Sequence, residues 1–151
     1  MLALWMMAAL AGTADDEAAI GAARARSNAA IAAHRFEDLR PLLMSDYAAL
    51  PGSTGRPLGV EDAGRRLAAA FADPGFVSYV RTPKRIVVAG SRKRASETGT
   101  WIGTWRKADG VMRLMGVYQA TWVPSADGWK LQNEAFVSLR CTGSRACAEV
   151  Y

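Results

Sequence analysis

The chain has 151 residues, half of them hydrophobic, and a formal net charge of +5. That length and apolar content support one domain with a real core, and no linker-like run divides it. The positive charge comes largely from Arg81, Lys84, Arg85, Arg92, Lys93, Arg94, Arg106, Lys107 and Arg113 at predicted strand ends, apart from the tryptophans, which argues against a nucleic-acid surface.

Residues 2–11 are almost wholly apolar, too short to cross a bilayer, and lead through Gly12-Thr13-Ala14 to an acidic Asp15-Asp16-Glu17. This reads as a secretory signal over residues 1–14, followed by a single domain over 15–151 that is exported and has no membrane segment once the signal is removed. From Asp15 to His34, Ile20, Ala23, Ser27, Ile31 and His34 recur at helical spacing, with Arg24, Arg26 and Arg35 elsewhere around the helix. A second short helix is expected over Phe36 to Met44, with Pro41 in its first turn or interrupting it. A short strand around Tyr47 to Leu50 follows, and then Val60, Ala63, Leu67 and Phe71 mark a third helix stopped by Asp73-Pro74-Gly75.

The rest reads as an antiparallel meander with hairpin signals at Gly90-Ser91, Asp109-Gly110 and Asp127-Gly128. Strand alternation puts Glu97, Gly99, Trp101, Gly103 and Trp105 on one face. A two-residue Asp109-Gly110 turn sets Trp105 opposite Leu114, Gly103 opposite Gly116, Trp101 opposite Tyr118 and Glu97 opposite Trp122. The other face, with Ser96, Thr98, Thr100, Thr104, Gln119 and Thr121, is polar enough for solvent. Cys141 and Cys147 are close enough in CTGSRAC to close a disulfide in an oxidising compartment. With one histidine far from both thiols, no recognisable metal-ligand set is present, and no cofactor is expected.

The N-terminal helices, the GRPLGVEDAGRRLAAAF segment, the strands carrying ETGTWIGTW, GVYQATWV and DGWKLQNEAFV, and the terminal cysteine pair resemble the nuclear transport factor 2-like superfamily, in its SnoaL-like branch. The resemblance implies an α+β, cone-shaped fold in which a strongly curved antiparallel sheet wraps the helices and encloses a cavity. Members include isomerases, cyclases, dehydratases, ligand carriers and dimerising modules, so fold analogy does not choose among functions.

Glu97 is the leading candidate for chemistry: a carboxylate in an aromatic-lined cavity loses hydration, which suits a general base. The competing reading is structural, since a two-residue Gly90-Ser91 turn puts Lys84 opposite Glu97 as an ion partner. Tyr118 is a candidate hydrogen-bond donor and His34 a candidate acid, base or helix cap. Trp101, Trp105 and Trp122 offer flat ligand walls, and Tyr47 is expected at the entrance with Asp46 and Arg56. The loop after Pro124 leaves two alternatives: a two-residue turn points Asn133 into the pocket, and a five-residue loop points Glu134 there. No phosphate-binding loop, dinucleotide fingerprint, HExxH or serine elbow is present. The expected partner is a small apolar or aromatic molecule. An isomerase or dehydratase using Glu97, and a homodimer paired through the outer sheet face, are the alternatives.

Overall fold

In the computed structural model, the backbone is described for residues 2–150 and side chains for residues 12–150. Apart from Gly12, Thr13 and Ala14, the side chains of the expected signal segment lie outside the described residues. Among the described residues, no helix is long and apolar enough to cross a membrane.

Helix α1 (Leu2–Ala32) is followed by the four-residue α2 (Phe36–Leu39), a single 3₁₀ turn (Arg40–Leu42) and strand β1 (Leu43–Leu50). The second helix is therefore much shorter than its sequence suggests. Pro41 lacks an N–H to continue the α-helical ladder, and the chain passes through the 3₁₀ turn into a longer strand. The two-residue β2 (Leu58–Gly59), which the sequence reading does not anticipate, precedes α3 (Val60–Ala72). Four long strands complete the chain: β3 (Phe76–Val88), β4 (Ala95–Lys107), β5 (Gly110–Ser125) and β6 (Gly128–Thr142). The six strands form one curved, unclosed sheet in the order β2-β1-β6-β5-β4-β3, with β1 parallel to β6 and the other pairs antiparallel. The fold class is α+β.

Alternation along β4 holds without interruption from Ala95 to Gly103. Ala95, Glu97, Gly99, Trp101 and Gly103 are buried, and Ser96, Thr98, Thr100 and Ile102 are exposed. The register differs by two residues from expectation: Glu97 pairs with Ala120, Trp101 with Gly116, Gly103 with Leu114 and Trp105 with Met112. The hairpin tip is Ala108-Asp109, and Gly110 (φ 148°) already belongs to β5, so the whole ladder slides while its parity survives. At Gly116 the backbone of β6 comes so close that an added Cβ would lie 1.8 Å from the Val137 carbonyl oxygen. Only glycine fits there, beneath the Trp101 indole, which donates to the same carbonyl at 3.3 Å.

α1 packs into the concave side through Ile20, Ala23, Arg24, Ser27, Ala30 and Ile31, all at most 4% exposed. Asp16 fixes the start of this contact. Its carboxylate accepts from Arg92 Nε at 2.5 Å and from Trp129 Nε1 at 3.1 Å, tying α1 to the β3–β4 turn and to β6. The helix ends in a left-handed residue, His34 (φ 56°), with Arg35 N–H donating to the Ala30 carbonyl and His34 N–H to that of Ile31. Cys141 and Cys147 form a disulfide that folds the C-terminal 3₁₀ turn (Arg145–Glu149) back beside the end of β6.

Candidate functional site

Four buried charges meet where α1 crosses the sheet. Arg24, near the middle of the helix, sends Nε to Glu97 Oε1 at 2.8 Å and a terminal nitrogen to Glu97 Oε2 at 3.3 Å. Its remaining nitrogen lies 2.8 Å from Glu134 Oε1, in ion-pair contact but not aligned as a hydrogen bond. The Arg24 guanidinium also lies over the rings of Tyr118 and Trp122, at 5.3 and 5.1 Å from their centroids. Glu97 accepts two more bonds, from the Tyr118 hydroxyl and from Trp122 Nε1 at 2.5 Å. Lys84 is not its partner: Ile86 faces Glu97, and Lys84 is the exposed extra residue of a β-bulge between Pro83 and Arg85.

Arg81 is the second buried cation. It is 4% exposed, so it is not one of the solvated strand-end charges that the sequence suggests. Its side chain donates to Ser27 Oγ and to the Tyr79 carbonyl, and its Nε lies 3.9 Å from Glu134 Oε1. Asn28 holds its backbone by accepting from Arg81 N–H at 3.0 Å and donating to the Arg81 carbonyl at 2.8 Å. Burial, aided by the nearby Arg24 charge, lowers the Arg81 pKa against the pull of Glu134. Glu134 shows the reverse balance: burial alone would raise its pKa, but Arg24, Arg81 and the Tyr47 hydroxyl, donating at 2.8 Å, leave it below the usual carboxylate value. Burial raises the Tyr47 and Tyr118 pKa values, and their acidic partners raise them further, so both phenols stay neutral donors.

Beside this quartet the concave face opens into a hollow of about 310 Å³. Tyr79, Trp101, Trp105 and Phe136 stand around it in edge-on contacts, with Tyr79–Trp105 ring centroids 5.6 Å apart and Trp101–Phe136 6.0 Å apart. Tyr47, Arg81 and Glu134 supply polar groups on its surface, with Arg66 and Ser53 from α3 and the β1–β2 loop.

The structure thus brings Trp101, Trp105, Tyr47 and Glu134 to one hollow. Glu97 and Tyr118 are buried directly behind it and do not line it. Trp122, expected as a ligand wall, is fully buried against Glu97 and Arg24. His34 lies outside the hollow, exposed at the end of α1, with its ring stacked on Phe71 at 5.0 Å. Asp46 and Arg56 are exposed and do not line the hollow. Asn133 is exposed on the outer face, and Glu134 is the inward residue. The connection is a two-residue turn, which by itself favoured Asn133, but the tip is Ala126-Asp127 and a β-bulge at Gln132 reverses the parity beyond it.

Arg24, Arg81, Tyr79 and Phe136 were not among the predicted site residues. A signal for Arg24 was present, since 20, 24, 27 and 31 fall on one helical stripe and place a cation amid buried positions. Among the described residues, no group of three or more His, Cys, Asp or Glu side chains could hold a metal ion.

No family model and no curated protein matches the chain. Solved structures do. A candidate aromatic ring hydroxylase from Novosphingobium aromaticivorans superposes with a TM-score of 0.70 at 17% identity, covering 89% of this chain and 96% of that one. A candidate dehydratase of the nuclear transport factor 2-like family from Streptomyces avermitilis gives 0.69 at 17% identity, over 83% and 97% of the two chains. A type 2 hexachlorocyclohexane dehydrochlorinase gives 0.65 at 15% identity, over 84% and 87%. The helices on a curved six-stranded sheet, and the agreement over nearly whole chains, identify the fold as nuclear transport factor 2-like.

Proposed function

We propose that the protein is an exported domain that binds a small apolar or aromatic molecule in the hollow beside the charged quartet. The observation that carries this reading is the wall itself: Tyr79, Trp101, Trp105 and Phe136 leave about 310 Å³ open, with a smaller set of polar groups, among them Tyr47, Arg81 and Glu134, on its surface. That combination of apolar lining and few polar groups is the usual make-up of a small-molecule site. Export is supported by the apolar segment over residues 2–11 and by the Cys141–Cys147 disulfide, a bond that persists in oxidising compartments.

Native mass spectrometry of the purified protein tests the reading. A retained small molecule should be lost in Trp101→Ala. A molecule kept equally by wild type, Trp101→Ala and Trp105→Ala would mean that the hollow is not the site.

An isomerase or dehydratase with Glu97 as base draws support from the eliminating enzymes that share the fold. It draws less from geometry, because both Glu97 oxygens already accept bonds and neither carboxylate oxygen borders the hollow. Pairing of two copies is favoured by a different observation: Ile102, Val117, Val137 and Leu139 are exposed on the outer sheet face, at 39, 42, 53 and 63%. A sedimentation profile that stays monomeric at high concentration would remove that reading.

A further inference from the structure

The charges around the hollow narrow what it can hold. Against it, with Arg81 and Glu134 on its surface and Arg24 and Glu97 behind them, two buried cations are balanced by two buried carboxylates. A charged ligand head pressed against that quartet would leave one buried charge unmatched, which is costly. The mouth is different. Arg66 lines the hollow from α3, on the same side as Ala63 and Leu67, which line it too, whereas Arg65 pairs away with Asp62. Arg66 donates to Ser53 Oγ at 2.7 Å and, among the described residues, makes no ion pair with a carboxylate. A guanidinium carries five N–H donors in a planar fork suited to a carboxylate, so most of its capacity is unspent. Its charge also reaches the ring wall: burial raises the Tyr79 pKa, and Arg66 opposes that rise.

Resting on the small-molecule reading, we propose that the ligand is an apolar, ring-bearing monocarboxylate whose body lies among Tyr79, Trp101, Trp105 and Phe136 and whose carboxylate meets Arg66 and Ser53 at the mouth. A hollow of about 310 Å³ suits a one- or two-ring body. The neutral quartet favours the uncharged end of such a molecule, and Arg66, which makes no ion pair among the described residues, favours the charged end.

Isothermal titration calorimetry with 2-naphthoate and the uncharged 2-naphthamide tests this at low salt. Wild type should bind the acid about tenfold more tightly than the amide, the difference that one charge-assisted contact supplies. Arg66→Gln should weaken the acid by that same factor and leave the amide unchanged, Arg66→Lys should recover part of the loss, and added salt should erode the preference. Arg66 is exposed, so the substitution leaves the core intact. Equal binding of acid and amide by wild type would overturn the inference and leave the small-molecule reading standing. So would an acid preference that survives in Arg66→Gln. No binding of either probe at millimolar concentration would overturn both.

Discussion

Beneath α1, the concave face is filled by Arg24, Glu97, Tyr118 and Trp122, none more than 4% exposed. Farther along the same face, Trp101 and Trp105 of β4, with Tyr79 of β3 and Phe136 of β6, stand around open space. Both regions arise from one alternation of side chains, yet one is closed by directional, charge-assisted bonds and the other by ring edges that do not interdigitate fully. The contrast shows what each kind of contact can do. Bonds to a buried carboxylate enforce one geometry and exclude water, while aromatic contacts tolerate a void, because their attraction is broad and their shapes are stiff.

Substitutions can break that contrast. The largest effect is expected for Arg24→Ala, which strands Glu97 without its cation: urea unfolding should show a loss of about 3–5 kcal/mol. Trp105, which is half-buried beside the hollow, should cost less than that when replaced by Phe.

Glu134→Gln comes next and separates charge from packing. The folded protein holds this carboxyl below its ordinary value of 4.5, so its contribution is present above that pH and is lost as pH falls through the lower, folded value. A melting-temperature profile should therefore fall for wild type in acid, and more shallowly for Glu134→Gln.

Removing the disulfide with the Cys141→Ser, Cys147→Ser pair should cost about 2 kcal/mol, the chain-entropy value for so short a loop. The smallest effect sharpens the register: Lys84→Ala should change stability by less than about 0.5 kcal/mol, because Lys84 is exposed and unpaired with Glu97. A loss near that of Arg24→Ala would restore the cross-strand pair in place of the helix-borne one.

Face assignment was legible in the sequence, because a period of two survives any slide of the ladder by two residues. The slide itself was not. Asp109-Gly110 reads as a turn pair, but the tip is Ala108-Asp109, and the glycine supplies its positive φ just after the turn; Gly128 (φ 101°) does the same after Ala126-Asp127. Bulges are equally silent in a sequence, and the one at Gln132 decides that Glu134 rather than Asn133 turns inward. The stripe through positions 20, 24, 27 and 31 pointed Arg24 inward, but its partners were hidden for a third reason. Residue type assigns an arginine to solvent, and only the meeting of helix and sheet shows that Glu97 and Glu134 compensate it.

The ionic quartet is tied into the contact between helix and sheet, not into the mouth of the hollow. Trp105, half-buried at the hollow and outside the quartet, therefore bears more on what is held than the quartet does. A lineage carrying this architecture can retune its cargo by exchanging rim side chains of similar volume, without passing through variants that fail to assemble.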